Sequence, residues 1–406
     1  MGMRTRELWP PAIVAAACAL GLAAQGLLTP AFTDYELEAE ASLQALRDGD
    51  VAGFLSLAPA YGGSLVLRAP FALLPDLWGG GDLALFRSMA FPCLLAGAAL
   101  AVVLWARGRS LGQSASTCWI ALVLVAACPL TLRALEIGHP EELLGAALCV
   151  GAALAAGARR PVLAGVLLGL AVANKPWAVL AVVPVLAIAP ARWPRLLAAA
   201  GASGALVMLP LVLAGSAVEA TGAVAREVGT IFQPWQVWWF LGETGHVVIG
   251  NFGEKPDYRV PPGWLTEIAR PLMVAVTVAV SLALLPRVRR QPWHEGLLLL
   301  AFALLLRCVL DPWNISYYHV PFLLALVTWE LHAFRRAPVL SMGATLLAWI
   351  TLVSLPSTAH PDVQALAYLA WSVPLAALVG ARLLWPARFR ALGALDGWPS
   401  PAGARG

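Results

Sequence analysis

Apolar runs recur along the whole chain, broken by short clusters of charge, glycine and proline. A helix crossing a bilayer needs about 20 apolar residues. Runs near that length fall at 10–28, 87–105, 115–132, 142–157, 162–174, 177–190, 196–214, 268–285, 295–311, 318–333, 338–355 and 365–385. The pattern predicts an all-α fold, a polytopic transmembrane helical bundle of about 12 spans. One transmembrane domain is expected over 1–385, followed by a Gly/Pro-rich, disordered cytoplasmic tail at 386–406. The first run is longer than a signal-peptide core and no convincing small-residue cleavage site follows it, so it reads as an uncleaved span.

The charges between the runs alternate. Arg4/Arg6, Arg107/Arg109, Arg159/Arg160, Arg192/Arg195, Arg287/Arg289/Arg290, Arg335/Arg336 and Arg388/Arg390 fall on one side. The positive-inside rule makes that side the cytoplasm, with both termini in it and an even number of spans. Tryptophans such as Trp105, Trp177, Trp193, Trp264, Trp313 and Trp385 stand near span ends, as an aromatic belt requires.

Residues 162–190 break the rhythm. They are too long for one ordinary span, yet basic pairs flank both ends. The segment is therefore expected to be a hairpin of two short helices with Asn174-Lys175-Pro176 at its tip. At ~1.5 Å per residue each arm is roughly 20 Å long, short of a hydrocarbon core of ~30 Å. A non-helical tip at that depth has to line a protein-walled or watery cavity. Lys175 and Lys255 are the only lysines among 27 Lys and Arg residues, and a charge inside the membrane marks a functional site. The plainer alternative is that Lys175 snorkels to the interface and anchors the turn.

The opposite connections carry most of the carboxylates and histidines. The long outer loop at 29–86 opens "LTPAFTDYELEAEASLQALRDGD". Thr33 and Glu36 have capping-box spacing, which predicts a helix starting there and lying along the membrane surface. The stretch "YGGSLVLRAPFALLP", opened by Tyr61 and interrupted by Arg68, suggests a second interfacial segment. Asp34 sits where span meets loop; a first-turn acid on a helix dipole is its structural explanation. "RALEIGHPEE" supplies Arg133, Glu136, His139, Glu141 and Glu142, the last two compatible with ordinary helix capping. Residues 215–266 are rich in Trp, Gly and Pro and are expected to be irregular. In "LRCVLDPWNISYYHVP", Arg307 and Asp311 have the i,i+4 spacing of an ion pair, and His319 opens the next run. The sequon at Asn314 lies too near the membrane to be glycosylated.

Composition narrows the field. The chain is 60% hydrophobic and 12% charged, with mean hydropathy +0.76. A soluble domain is nearer half apolar and a quarter charged. A net charge of +4, spread over membrane flanks, is no signal for nucleic acid. The six cysteines lie in or beside apolar runs without metal-ligand spacing, so neither a disulfide nor zinc is expected. No P-loop, Rossmann fingerprint, HExxH or GxSxG is present. No soluble domain could hold a nucleotide, so any donor substrate has to arrive through the membrane.

"FTDYELEAE" after the first span, "GHPEELLGAAL", "GLAVANKPWAVLAVVPVL" and "LDPWNISYYHVPF", in that order, resemble the GT-C superfamily. These are polytopic glycosyltransferases that use polyprenyl-phosphate sugars. The nearest branch is glycosyltransferase family 87, the polyprenyl-phosphate-mannose type. The resemblance implies an outward-facing cavity for a lipid-linked sugar, with mannose as the expected sugar, in a multi-pass protein of the cell membrane. It implies inverting transfer to a lipid or glycan acceptor at the extracytoplasmic face. Asp34 matches the first-loop general base. Lys175, Arg307, His319 and Arg133 match cations for the donor phosphate, and Glu36, His139, Glu142 and Tyr61 are substrate-cavity candidates. No cofactor is implied. Asp34-Tyr35-Glu36 has the look of a DxD metal motif, but the capping box accounts for Glu36, so metal independence is expected. Apart from the first and the 215–266 segment the outer connections are short, so the acceptor is expected to lie at the membrane interface. The rival readings are a transporter or lipid flippase, for which a second broken hairpin is wanting, and a non-catalytic scaffold of envelope assembly.

Overall fold

The computed structural model describes residues 5–26, 33–74, 82–214, 232–250 and 253–387. The expected tail lies outside the described residues from 388 onward, as do Arg4, Arg388 and Arg390 of the basic flanks.

The architecture is a helical bundle of α1 (Trp9–Gly26), the first-loop helices α2 (Thr33–Glu38), α3 (Glu40–Arg47), α4 (Val51–Ser56) and α5 (Gly62–Arg68), then α6 (Asp82–Ser110), α7 (Ala115–Ala126), α8 (Pro129–Ile137), α9 (Glu141–Gly157), α10 (Pro161–Asn174), α11 (Val182–Ile188) and α12 (Trp193–Leu213). Of the segment 215–266 expected to be irregular, residues 215–231 lie outside the described residues; from 232 it is irregular around a two-stranded antiparallel hairpin, β1 (Val248–Gly250) and β2 (Gly253–Lys255), and then come α13 (Gly263–Val288), α14 (Glu295–Leu310), α15 (Val320–Ala333), α16 (Val339–Trp349) and α17 (Pro361–Leu384). Among the described residues, seven helices are long and apolar enough to cross a membrane. The other five expected spans are α9, α10, the pair formed by the 3-10 turn Pro176–Ala181 and α11, α14 and α15, none longer than 17 residues. Nearly every residue of α14 and α15 is buried, as expected of helices apolar all round that sit inside a bundle.

The segment around Lys175 is a hairpin. Its two ends meet: the Arg192 guanidinium donates to the carbonyl of Arg159 at 2.7 Å. Other basic connections gather at the same end of the molecule. Gly157 packs on Trp293, whose ring lies 5.1 Å from that of His332. Gln113 donates to the carbonyls of Leu331 and Phe334. Arg382 pairs with Glu295 at 2.9 Å, and Arg289 covers the Trp193 ring at 4.1 Å. Near this end Glu330 caps α16, accepting from the backbone N–H of Ser341 at 2.8 Å and of Leu340 at 3.1 Å.

The outgoing arm α10 is clamped on α12. Gly165 and Gly169, four apart, present bare backbone to it. A Cβ on either would come within 2.2 Å of a carbonyl oxygen, that of Leu196 or Ala200. Small residues at this spacing let two helices approach in a membrane.

The first loop departs from expectation in one element. The helix does begin at Thr33. The second segment, α5, does not lie on a surface. Gly62 to Leu65 and Arg68 are buried, and Ser64 donates to the Asn174 side chain at 2.8 Å. Two glycines and a serine give a helix narrow enough to dock on the hairpin tip, and Arg68 has a buried carboxylate to meet.

Candidate active site

The site grows from the turn between α8 and α9. Gly138 ends α8 with φ of +110°. That left-handed conformation favours glycine, and a Cβ there would also stand 2.7 Å from the Tyr35 nitrogen. The reversal puts His139 between α2 and the start of α9. Nε2 lies 3.2 Å from Asp34 Oδ2 and Nδ1 lies 2.7 Å from Glu141 Oε1.

Glu141 is the hub. The same Oε1 meets Lys175 Nζ at 2.9 Å, and Oε2 meets Arg68 at 3.3 Å. Its backbone carbonyl accepts from the Asn174 amide at 2.9 Å. Glu141 and Arg68 are both buried, so each would be costly without the other charges around it. Lys175 itself is extended, with φ −148° and ψ 129°, between α10 and the 3-10 turn that follows. Its ammonium lies 3.9 Å from the centre of the Tyr61 ring. Tyr61 meets the His139 ring edge-on at 5.6 Å.

Burial and the nearby Lys175 push the His139 imidazole toward its neutral form. Glu141 and Asp34 outweigh them and raise it to about 9. The imidazole is then a cation near neutrality and donates from both nitrogens.

Glu142 faces a second set of groups. It accepts from the Trp177 indole at 3.1 Å and lies 3.6 Å from Arg307 and 3.9 Å from Lys175. The Arg307 guanidinium is stacked on Tyr318 at 4.0 Å and on Trp177 at 4.8 Å, a geometry that a planar cation tolerates well. Asp311 turns elsewhere. It accepts from the Trp313 N–H at 3.0 Å and lies 3.8 Å from Arg270. The i,i+4 spacing of Arg307 and Asp311 therefore does not make the ion pair that it suggests.

These groups form the polar wall of a cavity of about 630 Å³: Tyr61, Glu142, Lys175, Arg307 and Tyr318. Helix α13 adds the apolar side chains of Pro271, Met273, Val274 and Val278 to the lining, together with Arg270, which lies beside Asp311. A charged head and an apolar tail can both be satisfied there.

The structure thus brings Lys175, Arg307, Glu142 and Tyr61 to one cavity, and joins Asp34 and His139 to it through Glu141. It does not bring in the other three. Glu36 is exposed on α2. His319 is buried against Tyr368, 3.0 Å from its hydroxyl. Arg133 pairs with Glu136 and lines a different cavity. Sequence reasoning passed over Arg68, Asn174, Trp177 and Tyr318 as site residues and left Glu141 evenly balanced between function and helix capping. The signal for Arg68 was a lone charge within an apolar stretch; for Glu141 it was an acid in a first helical turn, which capping explained equally well.

The model of glycosyltransferase family 87 matches residues 63–312, a span that includes Arg68, His139, Glu141, Glu142, Lys175 and Arg307. No curated protein matches the chain.

Proposed function

The chain belongs to glycosyltransferase family 87 and is a membrane glycosyltransferase, and from that premise we propose that it moves mannose from a polyprenyl-phosphate carrier to a lipid or glycan acceptor. Asp34 takes the proton of the acceptor hydroxyl. The acceptor oxygen bonds to the anomeric carbon as the bond from that carbon to the phosphate oxygen breaks, which inverts the centre. The electron pair leaves on the polyprenyl phosphate, whose charge is met by Lys175 and Arg307. His139, donating to Asp34 Oδ2, leaves the other carboxylate oxygen for the acceptor hydroxyl. Arg133 and His319, held elsewhere, have no part in this scheme. The twelve-span reading places the basic end in the cytoplasm and the cavity toward the outer face. The scheme needs no metal.

The observation that carries this reading is the linkage from Asp34 through His139 and Glu141 to Lys175, each contact at 3.2 Å or less. It joins the proposed base to the proposed phosphate-binding cation across more than a hundred residues of sequence. The test is transfer by purified protein in lipid, with radiolabelled polyprenyl-phosphate mannose and a native membrane lipid extract. Removing a general base costs about 10²–10⁴ in rate, so Asp34→Asn should lose transfer by that order. Transfer by both proteins moves the base elsewhere; transfer by neither overturns the donor assignment.

A further inference from the structure

The stretch "SYYH" folds as a 3-10 turn, Ser316–His319, that leads into α15. At three residues per turn, successive side chains leave such a helix about 120° apart. Tyr317, Tyr318 and His319 therefore point three ways. Tyr317 is buried against the His139 ring, at 5.0 Å. Tyr318 lies on the Arg307 guanidinium at 4.0 Å. His319 turns into the core. One short turn thus touches both the group that holds Asp34 and the cation proposed to meet the phosphate.

His319 takes no step in the proposed transfer and lines neither cavity. Both of its ring nitrogens are occupied. Nδ1 lies 3.2 Å from the Ser316 carbonyl, which can only accept, so Nδ1 carries a hydrogen and donates it. Nε2 lies 3.0 Å from the Tyr368 hydroxyl and accepts from it. The first bond closes the turn on itself, and the second ties it to α17. Tyr368 is fully buried, as His319 is. Trp371 packs edge-on against it at 5.4 Å and donates in turn to Thr351 at 3.3 Å. The Cys308 thiol also donates to the Tyr318 carbonyl, at 3.2 Å, but a thiol is a weak donor. The phenol is the stronger side-chain tie.

In-line transfer needs the acceptor oxygen, the anomeric carbon and the phosphate oxygen in fixed relation, and a misplacement of about 1 Å can cost a hundredfold. In the proposed reaction the base is set through His139 and the phosphate through Arg307. The turn bears on both.

We infer that His319 is a positioning residue: through its bond to Tyr368 it fixes the turn whose Tyr317 and Tyr318 set His139 against Arg307, and it does so without touching substrate. This deepens the transferase reading and rests on it for the parts played by Asp34 and Arg307; the linkage from α17 to His139 does not depend on it.

The test uses the full chain in lipid nanodiscs. Tyr368→Phe removes one buried oxygen, and His319→Phe removes the imidazole. With polyprenyl-phosphate mannose and a native membrane lipid extract, each should lower kcat about tenfold to a hundredfold. The KM for the donor should stay within twofold, the pattern of an alignment needed only in the transition state. The double variant should be no worse than His319→Phe alone, since both changes cut one link. Hydrogen–deuterium exchange should quicken in both variants over residues 311–320 and also over 136–143, the stretch that carries His139, while α3 exchanges as in the wild type. A donor KM raised tenfold by His319→Phe, with Tyr368→Phe like the wild type, would make His319 a phosphate ligand and overturn the inference. So would additive losses, or an exchange change confined to 311–320 or absent. In a protein that transfers no sugar the exchange result decides alone: quickening at both stretches upholds the linkage while the proposed reaction falls, and anything less overturns both.

Discussion

One imidazole, that of His139, gathers charge from three elements of the fold. It faces Asp34 from α2, Glu141 from α9 and Lys175 from the hairpin tip. Its folded pKa is raised from 6.5 to about 9. A raised histidine stabilises the fold fully below its unfolded value and loses that contribution as pH rises through the folded value. The window is therefore from about 6.5 to about 9, and a shift of this size is worth at most ~3 kcal/mol. Thermal unfolding in detergent should show the wild type losing stability across this window relative to His139→Gln, with the two converging above it. Parallel profiles would mean that the imidazole is not a cation. At this scale local spacing misled in both directions. Arg133 is taken by Glu136, three residues on, instead of a donor phosphate, while Arg307 and Asp311, four apart, turn to other partners. His319 could not be placed, because Tyr368, which occupies it, comes 49 residues later.

The elements decide where Lys175 stands. Two basic pairs flanking too long an apolar run were enough to read a hairpin, since charge cannot cross the bilayer cheaply. What holds the arms was less visible. Gly165 and Gly169 lie four apart in a stretch that is apolar throughout, and nothing local marks which face meets α12. Docking of α5 on the tip was equally hidden, because interfacial and buried apolar segments share a composition. Backbone contact at the glycines leaves no room for a side chain. Gly169→Val should therefore lower the yield of folded protein and the unfolding temperature, by an amount in the range of ~1–3 kcal/mol typical of overpacking. The variant should also lose transfer activity, since α10 carries Asn174 and Lys175 at its end. Gly201→Val on α12, where a Cβ meets nothing within 4 Å, is the control expected to behave as wild type. Equal damage from both would argue that α12 tolerates no change, rather than that the α10 contact is tight.

For the whole molecule the governing quantity is uncompensated charge at its two ends. At the site end five cations are matched: Arg68 and Lys175 by Glu141, Arg307 by Glu142, Arg270 by Asp311 and Arg259 by Asp362. At the other end Arg382 meets Glu295, but Arg289, Arg290, Arg335 and Arg336 are exposed or nearly so, with Arg159 and Arg192 beside them. Positive charge that is not offset is retained on the cytoplasmic side. The basic end should thus face the cytoplasm, and both cavities the outside, where a lipid-linked donor would enter along the apolar side chains of α13. In a variant lacking the native cysteines, Glu243→Cys stands exposed at the site end and Arg289→Cys exposed at the basic end. A membrane-impermeant maleimide added to intact cells should label the first and leave the second until the cells are lysed. The reverse pattern would turn the protein over, and the sugar donor would then have to be met from the cytoplasmic leaflet. Labelling of both before lysis would mean that the arginines do not fix a single orientation.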